Sequence, residues 1–354
     1  MNSESQGVVE IEGRAIGPDS APYIVAEMSG NHDGSLDRAL EIVEAVAKAG
    51  AHAVKLQTYR ADTITIDADG PQFRLSDGHE LWGGERLYDL YEKAHTPWEW
   101  HGPIFERARE LGLAAFSSPF DPSAVAFLED LGVPAYKIAS SELVDLPLIQ
   151  QVAATGKPLI MSTGMATLSE IDAAVRAARE AGCPRPILLG CTASYPADVS
   201  ESNLRALPVL SEAFGLPVGL SDHTPGIGAP VAAVALGACL VEKHVTLSRE
   251  GGGVDSAFSL EPAELAALVA ETERGWRALG RAVIGPRDSE REGLRFRRSL
   301  YVIADVREGQ PVTPDNVRSI RPAGGLMPHA MGSVVGRTFR RDVSRGTPLT
   351  WDLI

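Results

Sequence analysis

The sequence predicts a (β/α)8 barrel followed by a small β-rich domain. Short apolar runs recur eight times over the first part of the chain, and helix-like segments follow them. The runs are continuously apolar rather than alternating, which is typical of parallel strands buried on both faces. Eight strand–helix units of this length match such a barrel. A doubly wound open sheet is the structural alternative, but no dinucleotide-binding glycine fingerprint is present to favour it.

The elements follow one another in a regular order. The predicted strands span residues 23–28, 53–57, 114–118, 135–139, 158–162, 187–191, 217–220 and 239–245. Amphipathic segments that predict helices include residues 36–49, 100–111, 124–131, 169–181 and 203–214, with residues 262–279 after the eighth strand.

One connection is far longer than a single helix needs. Residues 58–113 separate the second and third strands, and inserts of this length are commonly functional or act as lids. We expect most of its aromatic side chains to pack the insert onto the barrel, with one or two lining the barrel mouth. They are Trp82, Tyr88, Tyr91, Trp98 and Trp100.

The composition changes near residue 284. We therefore predict a barrel domain over residues 1–283, a charged linker with Gly and Pro over residues 284–298, and a small β-rich domain over residues 299–354. The last domain has fewer than 60 residues. Because a core of that size is thin, we expect the domain to dock on something else.

Charge and cysteine content exclude several classes of protein. The chain has 47 acidic and 33 basic residues, a net charge of −14, which argues against nucleic acid or an anionic membrane surface as the main partner. An anionic small substrate remains possible, since a local pocket can invert the global sign. Three scattered cysteines, Cys183, Cys191 and Cys239, make neither a disulfide framework nor a Cys-rich zinc site. The N-terminus lacks a signal peptide, so we expect a cytoplasmic protein.

Two lysines, Lys55 and Lys137, lie inside otherwise apolar strands. A buried lysine is costly without a partner, so the pair needs either an anion or carboxylate partners. A predicted cradle for a phosphate or carboxylate group is completed by four serines at strand ends, Ser118, Ser140, Ser162 and Ser221. A Schiff-base lysine and a purely structural pairing with Glu27 or Glu142 are the alternatives.

Two histidines end the seventh and eighth strands. His223 and His244 predict a divalent metal site with open positions, and Glu142 is a candidate third ligand or water-holder. Asp255 follows three consecutive glycines after the eighth strand and is a candidate to hold sugar hydroxyls or a protonated intermediate. The alternatives are structural histidines and a solvated aspartate on a surface turn.

These strand ends resemble the sialic acid synthase family, whose members join a barrel to a C-terminal antifreeze-like (SAF) domain. The resemblance is carried by EMSGNH, KLQTY, SSPFD, YKIASSE, MSTGM, YPA, GLSDHT and EKHVTL, and in the second domain by SLYVIADVREGQPVTPDNVRSIRPAGGL. The segments LWGGERLYDLYEKAHTPWEWH, AYKIASSE and DSAFSLEP resemble the pseudaminic acid synthase branch of the family.

The resemblance implies a condensation of phosphoenolpyruvate with an amino-sugar aldehyde that consumes water and releases phosphate. For the pseudaminic branch the sugar is 2,4-diacetamido-2,4,6-trideoxy-L-altrose. It further implies a divalent metal (Mn²⁺, Co²⁺ or Mg²⁺) and a domain-swapped homodimer, with no nucleic-acid or membrane partner.

Roles implied by the resemblance can be assigned position by position. The phosphoenolpyruvate cradle comprises Lys55, Ser118, Lys137, Ser140, Ser162 and Ser221. His223 and His244 are the implied metal ligands, with Glu142 near the metal-bound water. The implied sugar contacts are Glu27, Gln57, Tyr195 and Asp255, and Arg321 is the arginine that one subunit inserts into its partner's site.

One position departs from the family pattern. Neuraminate synthases commonly have Asn in the sixth-strand motif where this chain has Ala193, which agrees with a different sugar. N-acetylneuraminate or legionaminate synthesis, a Schiff-base aldolase of the same fold and a non-catalytic sugar-binding protein are the other functions considered.

Overall fold

Eight parallel strands close into a barrel in the computed structural model, which describes residues 8–75 and 83–354. A short hairpin of β1 (Val9–Ile11) and β2 (Arg14–Ile16) precedes them. The barrel strands are β3 (Tyr23–Glu27), β4 (Ala53–Thr58), β5 (Ala114–Pro119), β6 (Tyr136–Ile138), β7 (Leu159–Ser162), β8 (Ile187–Cys191), β9 (Val218–Asp222) and β10 (Leu240–His244). They pair in chain order, and β10 closes the ring against β3. The predicted barrel is confirmed, and the open sheet is excluded.

Helices surround the strands. They are α1 (Leu36–Ala49), α2 (Ala61–Ile64), α3 (Leu87–Ala94), α4 (Trp98–Glu110), α5 (Pro122–Asp130), α6 (Leu146–Ala153), α7 (Leu168–Glu180), α8 (Ala206–Phe214), α9 (Gly228–Ala235) and α10 (Pro262–Leu279). Local sequence sets their ends: in α1, Ser35 accepts a hydrogen bond from the backbone N–H of Arg38, and Gly50 ends the helix at a φ of 83°.

The long insert between β4 and β5 contains α2 and α3 ahead of α4. Trp98 stacks on Phe127 with ring centroids 4.6 Å apart, and Trp100 meets His32 edge-on at 5.5 Å. These two aromatics pack the insert onto the barrel, as predicted. Tyr91 instead contacts Tyr59, immediately beyond the end of β4. Trp82 lies outside the described residues.

The second compact unit spans Arg281–Ile354. Its strands β11 (Ser299–Val302) and β12 (Val317–Ile320) pair antiparallel, and α11 (Met331–Val334) follows. A small apolar core includes Leu300, Val312, Phe339 and Leu349. The predicted linker at residues 284–298 contains two short 3₁₀ helices.

No helix in residues 8–75 and 83–354 is both long and apolar enough to span a membrane.

Candidate active site

Alternation along the barrel strands decides which polar side chains face inward. On β10, Glu242 and His244 lie on one face, while Lys243 lies on the other. Lys243 ion-pairs with Asp222 of the neighbouring β9 at 2.5 Å, and both side chains are buried. The opposite charges of Lys243 and Asp222 cancel on the outer face of the barrel. The residues on the inner face, Glu242 and His244 among them, are therefore the ones that can form a site.

Four charged side chains meet inside the barrel, and we call Glu27, Lys55, Lys137 and Glu242 the charge cluster. Lys55 forms a close ion pair with Glu27, and its Nζ lies 3.7 Å from Oε1 of Glu242. Lys137 Nζ lies 3.7 Å from the same Glu242 oxygen. All four side chains are at most 5% exposed. Because two positive and two negative charges balance, the cluster can exist in an apolar barrel.

The two lysines are compensated unequally. Burial disfavours both ammonium groups, but Glu242 and Glu27 more than offset this for Lys55 and raise its pKa. Among the described residues the one ion pair of Lys137 is the 3.7 Å pair with Glu242, and burial lowers its pKa. Burial also raises the pKa of Glu27 despite Lys55, whereas Lys137 and Lys55 together outweigh burial and lower the pKa of Glu242. Of the two lysines, Lys137 therefore has the greater need of a further anion.

Neutral hydrogen-bonding groups adjoin the charge cluster. Ser118 accepts a hydrogen bond from Lys55 at 3.3 Å, Gln57 donates to Glu27 at 3.1 Å, and Ser221 donates to Glu242 at 3.2 Å. Ser140 accepts from the backbone N–H of Gly164 at 3.2 Å. The Ser162 hydroxyl is buried and has no hydrogen-bond partner in the described part of the chain.

His223 and His244, the imidazole pair, lie side by side with ring centroids 5.3 Å apart. Nδ1 of His223 lies 2.9 Å from the Thr192 carbonyl oxygen; this requires a proton on Nδ1 and leaves Nε2 as a free acceptor. Nδ1 of His244 is buried without a hydrogen-bond partner among the described residues. Burial lowers the pKa of both rings, so both are neutral, as metal ligands must be.

The donor set fits a loosely held divalent metal. No three His, Cys, Asp or Glu side chains within residues 8–75 and 83–354 converge to hold an ion. Two neutral imidazole nitrogens would therefore leave most positions to water or substrate, as a Lewis-acid metal requires.

Aromatic rings border the imidazole pair. The Tyr195 ring lies 4.4 Å from His223, and Phe258 lies 5.0 Å from His244. Phe258 and Tyr195 also contact one another at 5.5 Å. These two rings cover one side of the histidines with apolar surface.

Asp255 is held by the loop after β3. It accepts a close hydrogen bond from the Ser29 hydroxyl, and Oδ2 lies 3.7 Å from Nδ1 of His244. Burial raises its pKa to about 6, despite the Ser29 hydrogen bond. Asp255 is thus a built part of the site, and the alternative of a solvated surface turn is excluded by its 8% exposure.

Asn31 fixes the glycine-rich loop that carries Asp255. Its carboxamide donates to the Val245 carbonyl and the Ser259 hydroxyl at 2.8 and 2.9 Å. The carboxamide oxygen accepts from the backbone N–H of Asp255 and from Ser256 Oγ, both at 3.2 Å. All four bonding positions of the amide are used.

Glu142 lies in a 3₁₀ helix, Ser140–Val144, directly after β6. Burial raises its pKa to about 7, partly opposed by the positive charge of Lys137. In the described residues its electrostatic partners include Lys137 and Tyr91. The acidic neighbours of the imidazole pair include Asp255, Glu242 and Asp222. The assignment of Glu142 to metal-bound water stays a prediction.

The remaining assigned residue, Arg321, lies on the second unit directly after β12 and is exposed. No role was assigned to Glu242 from the sequence, although Glu242 lies 3.7 Å from both lysines. Its even spacing from His244 is the signal that identifies it, because alternate residues of a strand share a face.

The chain resembles known proteins over nearly all of its length. A sequence model of the NeuB family matches residues 42–283, and one of the SAF domain matches residues 297–354. A pseudaminic acid synthase from Campylobacter jejuni is 40% identical over 94% of this chain and 96% of its own. An N,N'-diacetyllegionaminic acid synthase from Legionella pneumophila is 34% identical over 94% of each chain.

A solved structure shows the same architecture. N-acetylneuraminic acid synthetase from Leptospira borgpetersenii, determined in complex with citrate, superposes with a TM-score of 0.72 at 32% identity. The match covers 81% of this chain and 95% of that one.

Replacing Asp255 with Asn is expected to stabilise the barrel at neutral and higher pH. Because burial raises the pKa of Asp255 from 3.8 to about 6, the folded carboxyl holds its proton more tightly than the unfolded one. Wild-type stability therefore falls as pH rises through this interval, by up to about 3 kcal/mol, and Asp255→Asn removes that loss. Urea unfolding followed by circular dichroism in EDTA measures it.

The two proteins should be about equally stable near pH 4 and differ near pH 8. The exposed Asp19→Asn variant is the control and should follow the wild type. A constant difference between Asp255→Asn and wild type across this range would contradict the prediction.

Proposed function

The chain belongs to the NeuB family and ends in a SAF domain, and from this premise we propose that it synthesises pseudaminic acid. The reaction joins phosphoenolpyruvate to 2,4-diacetamido-2,4,6-trideoxy-L-altrose, consumes water and releases phosphate. The observation that carries the proposal is the charge cluster, whose less compensated cation, Lys137, interacts electrostatically with His244 of the imidazole pair.

The similarity to relatives favours this sugar over its alternatives. Identity is 40% to the pseudaminic acid synthase of Campylobacter jejuni and 34% to the legionaminic acid synthase of Legionella pneumophila. Both comparisons cover 94% of this chain, so the difference in identity does not arise from a difference in aligned length.

Lys55 and Lys137 bind the anionic groups of phosphoenolpyruvate. Both ammonium groups are already fixed within the barrel, so they supply positive charge without reorganising during the reaction. Hydroxyl groups of Ser118, Ser162 and Ser221 provide further hydrogen bonds to the phosphate or carboxylate oxygens. The unpartnered Ser162 hydroxyl supports this role.

His223 and His244 would hold the divalent metal, which as a Lewis acid polarises the sugar aldehyde when bound. The Thr192 backbone carbonyl orients His223 by accepting a hydrogen bond from its Nδ1–H. Tyr195 and Phe258 limit the access of water on the adjoining side.

The carbon chemistry moves two protons, both of which come from water. C3 of phosphoenolpyruvate forms a bond to the aldehyde carbon, and the aldehyde oxygen takes up a proton. Water adds at C2 and loses its first proton. The C2 hydroxyl then loses the second proton, which goes to phosphate, as the bond between C2 and the phosphate oxygen breaks to leave a keto acid. Glu142 accepts the first proton from the water, since a carboxyl with a pKa of about 7 is poised for this near neutral pH.

We also propose that Arg321 completes the site in a domain-swapped homodimer. Residues 281–354 carry 13 arginines and eight acidic residues, whereas the rest of the chain carries 20 basic and 39 acidic residues. This opposition of charge favours association of the second unit with a barrel. The cytoplasmic location expected from the sequence stays a prediction.

Phosphate release with three sugars tests the proposed function. With phosphoenolpyruvate and metal present, we expect release with the L-altro diacetamido sugar and at least about tenfold lower kcat/KM with its D-manno counterpart and with N-acetylmannosamine, since tenfold corresponds to about 1.4 kcal/mol of discrimination. A preference for either manno sugar would assign the chain to legionaminate or neuraminate synthesis instead. Borohydride trapping of pyruvate on Lys55 or Lys137 would favour the aldolase.

Removal of metal by EDTA is expected to abolish phosphate release, and Mn²⁺, Co²⁺ or Mg²⁺ should restore it. Calorimetry should show Mn²⁺ binding to the wild type and its loss in His244→Ala, because one of two protein ligands is gone. The exposed His329→Ala variant serves as the control. Full activity of exhaustively chelated protein would refute the assigned metal ligands.

A further inference from the structure

A third side chain continues the inward-facing series on β4. Lys55 and Gln57 both bond Glu27, and Tyr59 follows at the same spacing of two residues, immediately beyond the strand end. Side chains two residues apart on an extended strand share a face. Tyr59 thus lies above Gln57 on the side of the charge cluster, although sequence analysis did not select it.

The Tyr59 ring is fixed in place. It meets Tyr91 edge-on with centroids 5.6 Å apart and Phe120 edge-on at 5.3 Å. Its backbone carbonyl accepts a hydrogen bond from Nε1 of Trp98 at 3.3 Å. Only 3% of the residue is exposed. These contacts hold the ring in one orientation and make it part of an aromatic wall.

Within residues 8–75 and 83–354 the hydrogen bond of Tyr59 is to its backbone carbonyl and none is to its hydroxyl, which is not one of the fully buried atoms that lack a partner. Once a bound ligand covers this hydroxyl, leaving it without a hydrogen bond would cost about 1–3 kcal/mol. Burial, Asp255, Tyr91 and Glu27 all raise the pKa of the phenol, so it keeps its proton, and two carboxylates are among its neighbours. The phenol is therefore available to hydrogen-bond a ligand.

The surroundings determine which ligand group fits. Glu27 and Asp255 would repel a phosphate or carboxylate, so the group at Tyr59 is a neutral part of the sugar rather than an anionic end of phosphoenolpyruvate. Aromatic rings around a single hydroxyl suit a group that has both an amide and a methyl. An acetamido group has both, whereas a sugar hydroxyl would leave the rings without an apolar partner.

We propose that Tyr59 is a specificity-determining residue, whose hydroxyl hydrogen-bonds an acetamido group of the sugar while Tyr91 and Phe120 contact the methyl. This inference rests on the proposed function, which supplies a sugar with two such groups.

Tyr59→Phe removes the hydroxyl and retains the ring. The KM for the L-altro diacetamido sugar is expected to rise about five- to tenfold, the loss of one neutral hydrogen bond, while kcat and the KM for phosphoenolpyruvate change less than about twofold. Tyr88→Phe, on α3 of the same insert, is the matched control and should leave all three constants unchanged. Steady-state phosphate release at saturating co-substrate measures them.

A rise in the sugar KM alone distinguishes a lost hydrogen bond to the sugar from a loss of folded enzyme. KM does not depend on the fraction of enzyme that is folded, so a less stable variant still reports the hydrogen bond. An unchanged sugar KM in Tyr59→Phe, or an equal rise in the KM for phosphoenolpyruvate, would overturn the inference while the proposed function stands. Failure of the wild type to release phosphate with the diacetamido sugar would instead overturn the proposed function, and this inference with it.

Discussion

Two ammonium groups buried in an apolar barrel are the constraint on which the rest of the site depends. Lys55 and Lys137 are each at most 4% exposed, and isolated charges at such positions would be strongly destabilising. Glu242 lies 3.7 Å from both, and Glu27 pairs closely with Lys55. These contacts offset the cost of burying the Lys55 charge well, and that of burying the Lys137 charge only weakly. An anionic substrate that satisfies Lys137 therefore gains energy from an interaction that the protein leaves incomplete.

The loops above the barrel are held by hydrogen bonds and by close backbone approach. Asn31 uses its whole carboxamide on the loop that carries Asp255. A Cβ on Gly253 would lie 2.8 Å from the Asn31 carboxamide oxygen, and one on Gly30 would lie 2.5 Å from Val254. Glycine at these positions lets the two loops touch. The GGG sequence thus serves packing as well as the reach of Asp255 toward His244.

The barrel could be predicted from sequence because its strands are buried on both faces and read as continuous apolar runs. Lys55, Lys137 and the imidazole pair were found because polar residues at the ends of such runs are rare and costly. Glu242 could have been selected by alternation on β10, which separates it from Lys243. The roles of Asn31 and Tyr59 could not be predicted in this way, because they arise from contacts with residues far away in sequence. Trp82 lies outside the described residues.

The neighbours of Glu142 could not be predicted from sequence either, because they too come from distant parts of the chain. The resemblance implied a position near metal-bound water, whereas the electrostatic partners in the described residues include Lys137 and Tyr91. Tyr91 belongs to the insert between β4 and β5, whose path no periodicity in the sequence defines. The same insert supplies part of the wall around Tyr59, so the longest connection in the barrel bears on substrate choice.

The role of Lys137 in binding phosphoenolpyruvate can be measured in the Lys137→Met variant. Titration calorimetry, with metal present and without sugar, gives the affinity for phosphoenolpyruvate. Methionine keeps most of the side-chain volume and removes the charge, and Glu242 still has Lys55 as a partner. We expect the affinity to be lower by about 10- to 100-fold, the loss of a charge-assisted hydrogen bond, and to be unchanged in a control, the exposed Lys48→Met. Equal affinity of Lys137→Met and wild type would contradict this expectation.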